Sequence, residues 1–250
     1  NVEFINSMDM NFISQMDCIW SKTESGFKLL KSRFGDKVFF SEWTSIDRNE
    51  DFVKSYNSFL HVRGCSRFKN SGLVLDVWSR HSEWPHLTMI QHSIPDTNGN
   101  INIPTDINIA TNITLIQRIL SDDELNKYMN THNIHICPSS QEGFGHYINE
   151  ARSCEAVVCA THGYPMMELV SNNECLIETD GVSKQSLGLS YVVLSDKLEK
   201  CLQHMIDVYI NSEGNSLGHI GRQQRINYMQ QKNRFHENVR RYMNSLNIHT

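Results

Sequence analysis

Short apolar runs, many rich in β-branched residues, alternate along the chain with segments whose apolar positions recur every three or four residues. That alternation predicts an α/β fold with a mainly parallel sheet. Strands are predicted over residues 38–40, 59–63, 87–91, 107–111, 134–137, 156–160, 175–178 and 191–194, and helices over 23–33, 73–80, 122–131, 146–154, 165–170 and 195–211. In the last helix Leu198, Leu202, Met205, Ile206 and Tyr209 form a single stripe suited to covering a sheet. Beyond Gly221 the sequence becomes polar and rich in Arg and Gln, with Ile226, Met229, Val239, Tyr242, Met243 and Leu246 as its apolar positions. This predicts a long surface helix. The Asn-rich stretch 96–108 reads as a loop.

Composition narrows the possibilities. With 250 residues the chain can bury a substantial core, as one large domain or two small ones. A formal charge of −5 is the wrong sign for a protein that binds nucleic acid mainly by neutralising phosphates. The seven cysteines form no C-x-x-C pair, which suggests buried free thiols in a reducing compartment. No apolar run is long enough to span a bilayer and no secretory leader opens the chain, so a cytoplasmic location is expected. His132 and His135 straddle a predicted helix-to-strand junction, where their side chains need not converge, and no metal site is expected.

The chemistry concentrates between Ile134 and Val170. A strand leads into the loop Glu142-Gly143-Phe144-Gly145, which stops just before a helix. At such a junction free backbone N–H groups and the positive end of the helix dipole face the crevice, and an anion such as phosphate is the natural guest. Glu142 and Glu150 are separated by seven residues, the first in the loop and the second inside the helix. Together with Pro138-Ser139-Ser140 before them, Ala151 after them, and the following V-V-C-A-T run with its Gly163 loop, these residues resemble the retaining glycosyltransferases of family 4.

That resemblance implies a Rossmann-like parallel sheet with helices on both faces, the C-terminal domain of the GT-B fold, with a remnant of the N-terminal domain. On that view residues 1–50 are the remnant of an acceptor-side domain and the crossover, 51–221 the donor-binding domain and 222–250 a helical extension. Because the chain starts at Asn1 and few residues precede the donor domain, truncation is expected, or an acceptor side supplied by a partner chain or oligomer.

The resemblance also assigns roles. Glu142 would hold hydroxyls of the transferred hexose and Glu150 the ribose hydroxyls, since carboxylates accept strong charge-assisted bonds from paired hydroxyls. Backbone amides of Gly143, Phe144 and Gly145 would lie near the diphosphate, with His146 and Gly163 beside the donor. The nucleotide base would lie near residues 112–115.

The family's basic loop G-R-x-x-x-x-K-G is matched by Arg63-Gly64-Cys65-Ser66-Arg67-Phe68-Lys69-Asn70. Lys69 stands at the phosphate-binding lysine. Gly64 falls at the arginine, so Arg67 or Arg63 must substitute. Positive charge there would stabilise the leaving diphosphate without a metal. The implied activity is hexose transfer, with retention, from a UDP- or GDP-linked sugar to a glycan, lipid or protein acceptor, with no cofactor. The alternative is a catalytically silent nucleotide-sugar-binding module.

Overall fold

Six runs of apolar residues assemble a parallel sheet. A computed structural model of the chain describes residues 5, 7–64, 66–91, 110–212 and 215–246. The strands of the main sheet are β3 (Ser55–Gly64), β4 (His86–Gln91), β5 (Ile113–Ile116), β6 (His132–Cys137), β7 (Val157–Thr161) and β8 (Leu176–Ile177). They lie in the order β5-β4-β3-β6-β7-β8, every neighbouring pair parallel. The centre of the sheet is covered on both faces: all of β7 is buried, and so is β6 beyond His132. The near-continuous apolar sequence of β7 reflects this double cover, whereas β6 also buries Asn133 and His135.

Two smaller pairs flank the sheet. β1 (Ile19–Ser21) and β2 (Val38–Phe40) run parallel, joined through α2 (Glu24–Phe34) and preceded by α1 (Ser7–Ser14). β9 (Gly181–Gln185) and β10 (Gly188–Val192) form an antiparallel hairpin. The remaining helices are α3 (Ser71–Ser79), α4 (Asp122–Thr131), α5 (His146–Ser153), α6 (Met166–Leu169), α7 (Ser195–Ser212) and α8 (Asn215–Leu246). α4 has the bounds its sequence predicts, because Ser121 and Glu124 close a reciprocal capping box and three acidic residues occupy the first turn. Among the described residues no helix is long and apolar enough to cross a membrane. The six described cysteines are all free, five of them buried; Cys65 lies outside the described residues.

Several elements differ from their sequence patterns. Of the strand expected over 107–111, residues 107–109 lie outside the described residues, as does the whole 96–108 stretch; residues 111–112 form a turn, and the described strand is Ile113–Ile116. The strand expected over 191–194 is the return arm of a hairpin outside the main sheet. Its partner β9 is exposed along its whole length, so no apolar alternation marks it. The helix expected on the surface beyond Gly221 starts at Asn215 and is partly inlaid: Leu217, Ile220, Tyr228, Gln224 and Gln231 are buried. Gly221 rests directly on the chain between α5 and β7, where a Cβ would lie 2.5 Å from the Glu155 carbonyl oxygen.

From Arg225 onward α8 reaches back to the first fifty residues of the chain. Arg225 and Lys232 clasp Asp47, Arg234 pairs with Glu42, and the Tyr228 hydroxyl donates to the Ser45 carbonyl at 3.0 Å. Phe235 meets Trp43 edge-on, and Tyr242 packs against Trp20 and Phe39.

Two fully buried histidines give the core a pH limit. His61 Nδ1–H donates to the Ile136 carbonyl at 2.8 Å and its Nε2 accepts the Ser71 hydroxyl at 2.7 Å. His135 Nε2–H donates to the Met129 carbonyl at 3.1 Å. Burial, reinforced by nearby cations, pushes His61 down to about 4 and His135 down to about 3. Below the unfolded value of about 6.5 the unfolded chain therefore binds more protons than the fold. Stability is fully present above that pH and falls as pH drops toward 4, by up to about 1.4 kcal/mol per pH unit for each histidine. Urea midpoints taken at about pH 7 and about pH 5 should show this loss; equal midpoints would mean that both rings titrate normally.

Candidate functional site

The sheet order reverses between β3 and β6, so the connections leaving their carboxyl ends diverge and open a crevice, the usual ligand position in an open parallel sheet. From β3 the chain passes Gly64, which takes a positive φ of 57°, into the 3-10 turn Arg67–Lys69 and then, through left-handed Asn70, into α3. From β6 it passes through Pro138 to Gly145 into α5. The two loops are clipped together. Ser140 N–H donates to the Phe68 carbonyl at 2.8 Å, and the Asn70 side chain donates to the Pro138 carbonyl at 2.7 Å. Thr161 and the Tyr191 amide hold Ser139 and Ser140 from the other side.

Gly145 is required where it stands. Its φ is 97°, and an added Cβ would press to 3.2 Å on Ile148 and Leu169. It opens α5 with no side-chain cap, which leaves the first turn for a polar ligand. Phe144 buries its ring in the core, so only its backbone can serve the crevice, whereas Gly143 is half-buried and lines two neighbouring cavities.

Lys69 and Glu142 meet in an ion pair, with 12% and 14% of their side chains exposed. The Ser139 hydroxyl donates to the same Glu142 oxygen at 2.6 Å. Its only hydrogen thus committed, Ser139 accepts from the Tyr147 hydroxyl. The Lys69 ammonium also stands 3.3 Å from the Tyr147 ring centre, close enough for a cation–π contact. Burial lowers the Lys69 pKa, with Glu142 opposing, and burial holds the Tyr147 phenol well above its usual value.

Glu150 is also engaged. Arg48 Nε donates to its carboxylate at 2.9 Å while Nη1 donates to Asn126 at 2.7 Å. The Arg48 backbone N–H is fixed on the Ser153 hydroxyl at 2.9 Å. Arg48 carries no sequence signal, because it lies in the linker between β2 and β3, about a hundred positions from Glu150, and no local pattern joins them. Tyr147 has a weak signal, its place as the second residue of α5, in the first turn after the Gly loop.

The other expected residues divide. His146 Nδ1 lies 3.0 Å from the Ser45 hydroxyl, and its ring meets Phe144 edge-on; burial first, then the Lys22 cation, lowers its pKa. Gly163 lies against the Tyr191 ring, where a Cβ would come within 2.6 Å, so packing alone accounts for the glycine. Arg67 is exposed over the Phe68 ring, and neither Arg67 nor Arg63 makes an ion pair among the described residues. The residues expected near the base, 112–115, span the start of β5. Asn112 stands at the amino end of β5, away from the crevice, with its amide donating to the His81 and Trp84 carbonyls. Among the described residues no three His, Cys, Asp or Glu side chains cluster as a metal site.

Residues 102–204 match the family model described as Glycosyl transferases group 1. This group 1 segment contains Glu142 and Glu150 but neither Lys69 nor Arg48, and it supports glycosyl transfer as the class of activity. Solved structures share the fold at low sequence identity. A glycosyltransferase from Rickettsia africae superposes with a TM-score of 0.67 at 13% identity, over 97% of this chain and 68% of its own. Anabaena HepE in complex with UDP gives 0.70 at 11%, over 98% and 70%. Sucrose-phosphate synthase from Thermosynechococcus elongatus gives 0.69 at 15%, over 96% and 61%. The chain thus has the α/β, GT-B glycosyltransferase fold and spans 61% to 70% of the length of these three structures. No curated protein matches the sequence.

Proposed function

We propose that this chain binds a nucleoside-diphosphate sugar, UDP- or GDP-linked, and transfers its hexose with retention and without a metal ion, in the manner of family 4 glycosyltransferases. One observation carries the reading: Lys69 reaches Glu142 in the crevice where the glycine turn opens α5, with Glu150 farther along the same helix. In this reading the diphosphate lies against the first turn of α5 and Lys69, Glu142 accepts hydrogen bonds from the hexose and Glu150 from the ribose. The UDP present in the HepE structure supports a nucleotide donor.

In the reaction the bond from the anomeric carbon to the phosphate oxygen breaks, and a bond to the acceptor oxygen forms on the same face. The acceptor's proton passes to the departing diphosphate, so no protein nucleophile is needed. The protein contributes positioning and charge stabilisation, with Lys69 placed for the second and Arg67 or Arg63 able to add to it.

A second reading, donor binding without turnover, draws on the fact that both acids are already paired with cations, Glu142 with Lys69 and Glu150 with Arg48. Release of free nucleoside diphosphate from UDP- and GDP-hexoses in the presence of mixed acceptors separates the two. Release is expected, and Glu142→Ala should reduce it by on the order of 10²-fold. Donor binding with no release from any donor would favour the silent module.

A further inference from the structure

A cavity of about 320 Å³ opens between α2 and the β9–β10 hairpin, and Glu142 forms part of its wall. This volume is at the lower end of small-molecule sites, roughly 300–1,000 Å³. Most of the lining is apolar: Leu29 from α2, Pro165 from the loop after β7, and Leu187 and Leu189 from the hairpin. Lys184 is the lining cation; it is exposed and makes no ion pair among the described residues. The same hairpin leaves Val182 and Val192 exposed, so its apolar character continues outside the cavity.

Thr23, Ser25 and Tyr164 add hydroxyls to the lining, but its apolar surface is the larger. A sugar ring lodged along Leu29, Leu187 and Leu189 would bury hydroxyls against side chains that cannot bond them, which weakens binding. An alkyl or aryl body would instead gain from burial. We infer that the cavity receives the acceptor, and that the acceptor is an anionic amphiphile. Its hydroxyl points to Glu142, its apolar body runs along Leu29, Leu187 and Leu189, and its phosphate or carboxylate meets Lys184. This inference rests on the donor-site reading of Glu142 given above.

Calorimetric titration of the whole chain with butyl, hexyl and octyl phosphate, octanol and glucose 6-phosphate tests it, with UDP titrated in parallel. Affinity is expected to rise about fourfold per added methylene until the cavity is full. Glucose 6-phosphate should bind at least about tenfold more weakly than hexyl phosphate. Lys184→Glu should weaken every alkyl phosphate by roughly three- to fivefold and leave octanol unchanged, as for a solvent-exposed ion pair. Leu189→Asp, at an exposed hairpin position, should weaken octanol and octyl phosphate together. Affinity that is flat with chain length, glucose 6-phosphate binding as tightly as hexyl phosphate, or a Leu189→Asp variant that binds octyl phosphate normally would each overturn the inference. If UDP binds and the alkyl phosphates do not, the amphiphilic acceptor alone is excluded. If UDP itself fails to bind, the donor reading is lost and the acceptor assignment with it.

Discussion

Lys69→Met is expected to lower nucleoside-diphosphate release by on the order of 10²- to 10³-fold, the usual cost of removing one group that stabilises developing charge. Two effects have to be separated in that result. In the free chain Lys69 neutralises Glu142, and both side chains are mostly buried, so the single variant also strands a carboxylate among Ser139 and Tyr147. Breaking a fully buried pair costs about 3–5 kcal/mol, and these partly exposed groups should lose less. The double variant Lys69→Met with Glu142→Gln removes the stranded charge. It should recover most of the thermal stability while remaining inactive. Turnover that returns together with stability would show that Lys69 serves the fold and not the leaving group.

Gly221→Ala should lower the melting temperature by roughly 2–12 °C. The added Cβ would lie 2.5 Å from the Glu155 carbonyl oxygen, and backbone on both sides leaves no flexible end to swing away. Overpacking of that type costs about 1–3 kcal/mol, and a chain of this length loses about 2–4 °C per kcal/mol. Gly218, one turn earlier on α8, makes a matched control. A Cβ there meets only the ends of the Arg222 and Tyr56 side chains at 3.6 Å, an ordinary contact. Gly218→Ala should therefore be neutral or stabilising, by up to about 1 kcal/mol, because alanine is the better helix former. Equal effects at the two glycines would contradict the seating of α8 described here.

How much of this was legible beforehand depended on whether the forces were local. β7 was visible because cover on both faces favours a run of apolar residues, β6 because Ile134, Ile136 and Cys137 form a short apolar cluster, and α4 because its cap lies in its own sequence. The turn at Gly145 could be read because glycine before a helix has few other uses. The inlay of α8 could not, since its buried positions include Gln224 and Gln231, and polar residues imply solvent when no partner is known. In the fold Gln231 accepts from Arg152, which is 3% exposed, has Asn149 as a second acceptor, and is pushed down to about 10 by burial. Arg48 was missed for the same reason: its meaning lies in Glu150, Asn126 and Ser153, none of them near it in the chain.

The reach of α8 back to Glu42, Asp47 and Trp20 sets the schedule of biosynthesis. The aromatic faces of Trp20 and Phe39 acquire their Tyr242 cover only after some two hundred further residues have been translated, an interval of roughly 10–40 s at ribosomal speeds. Throughout that interval the nascent β1–β2 pair lacks its Tyr242 cover, which leaves it a surface for chaperones to shield during synthesis.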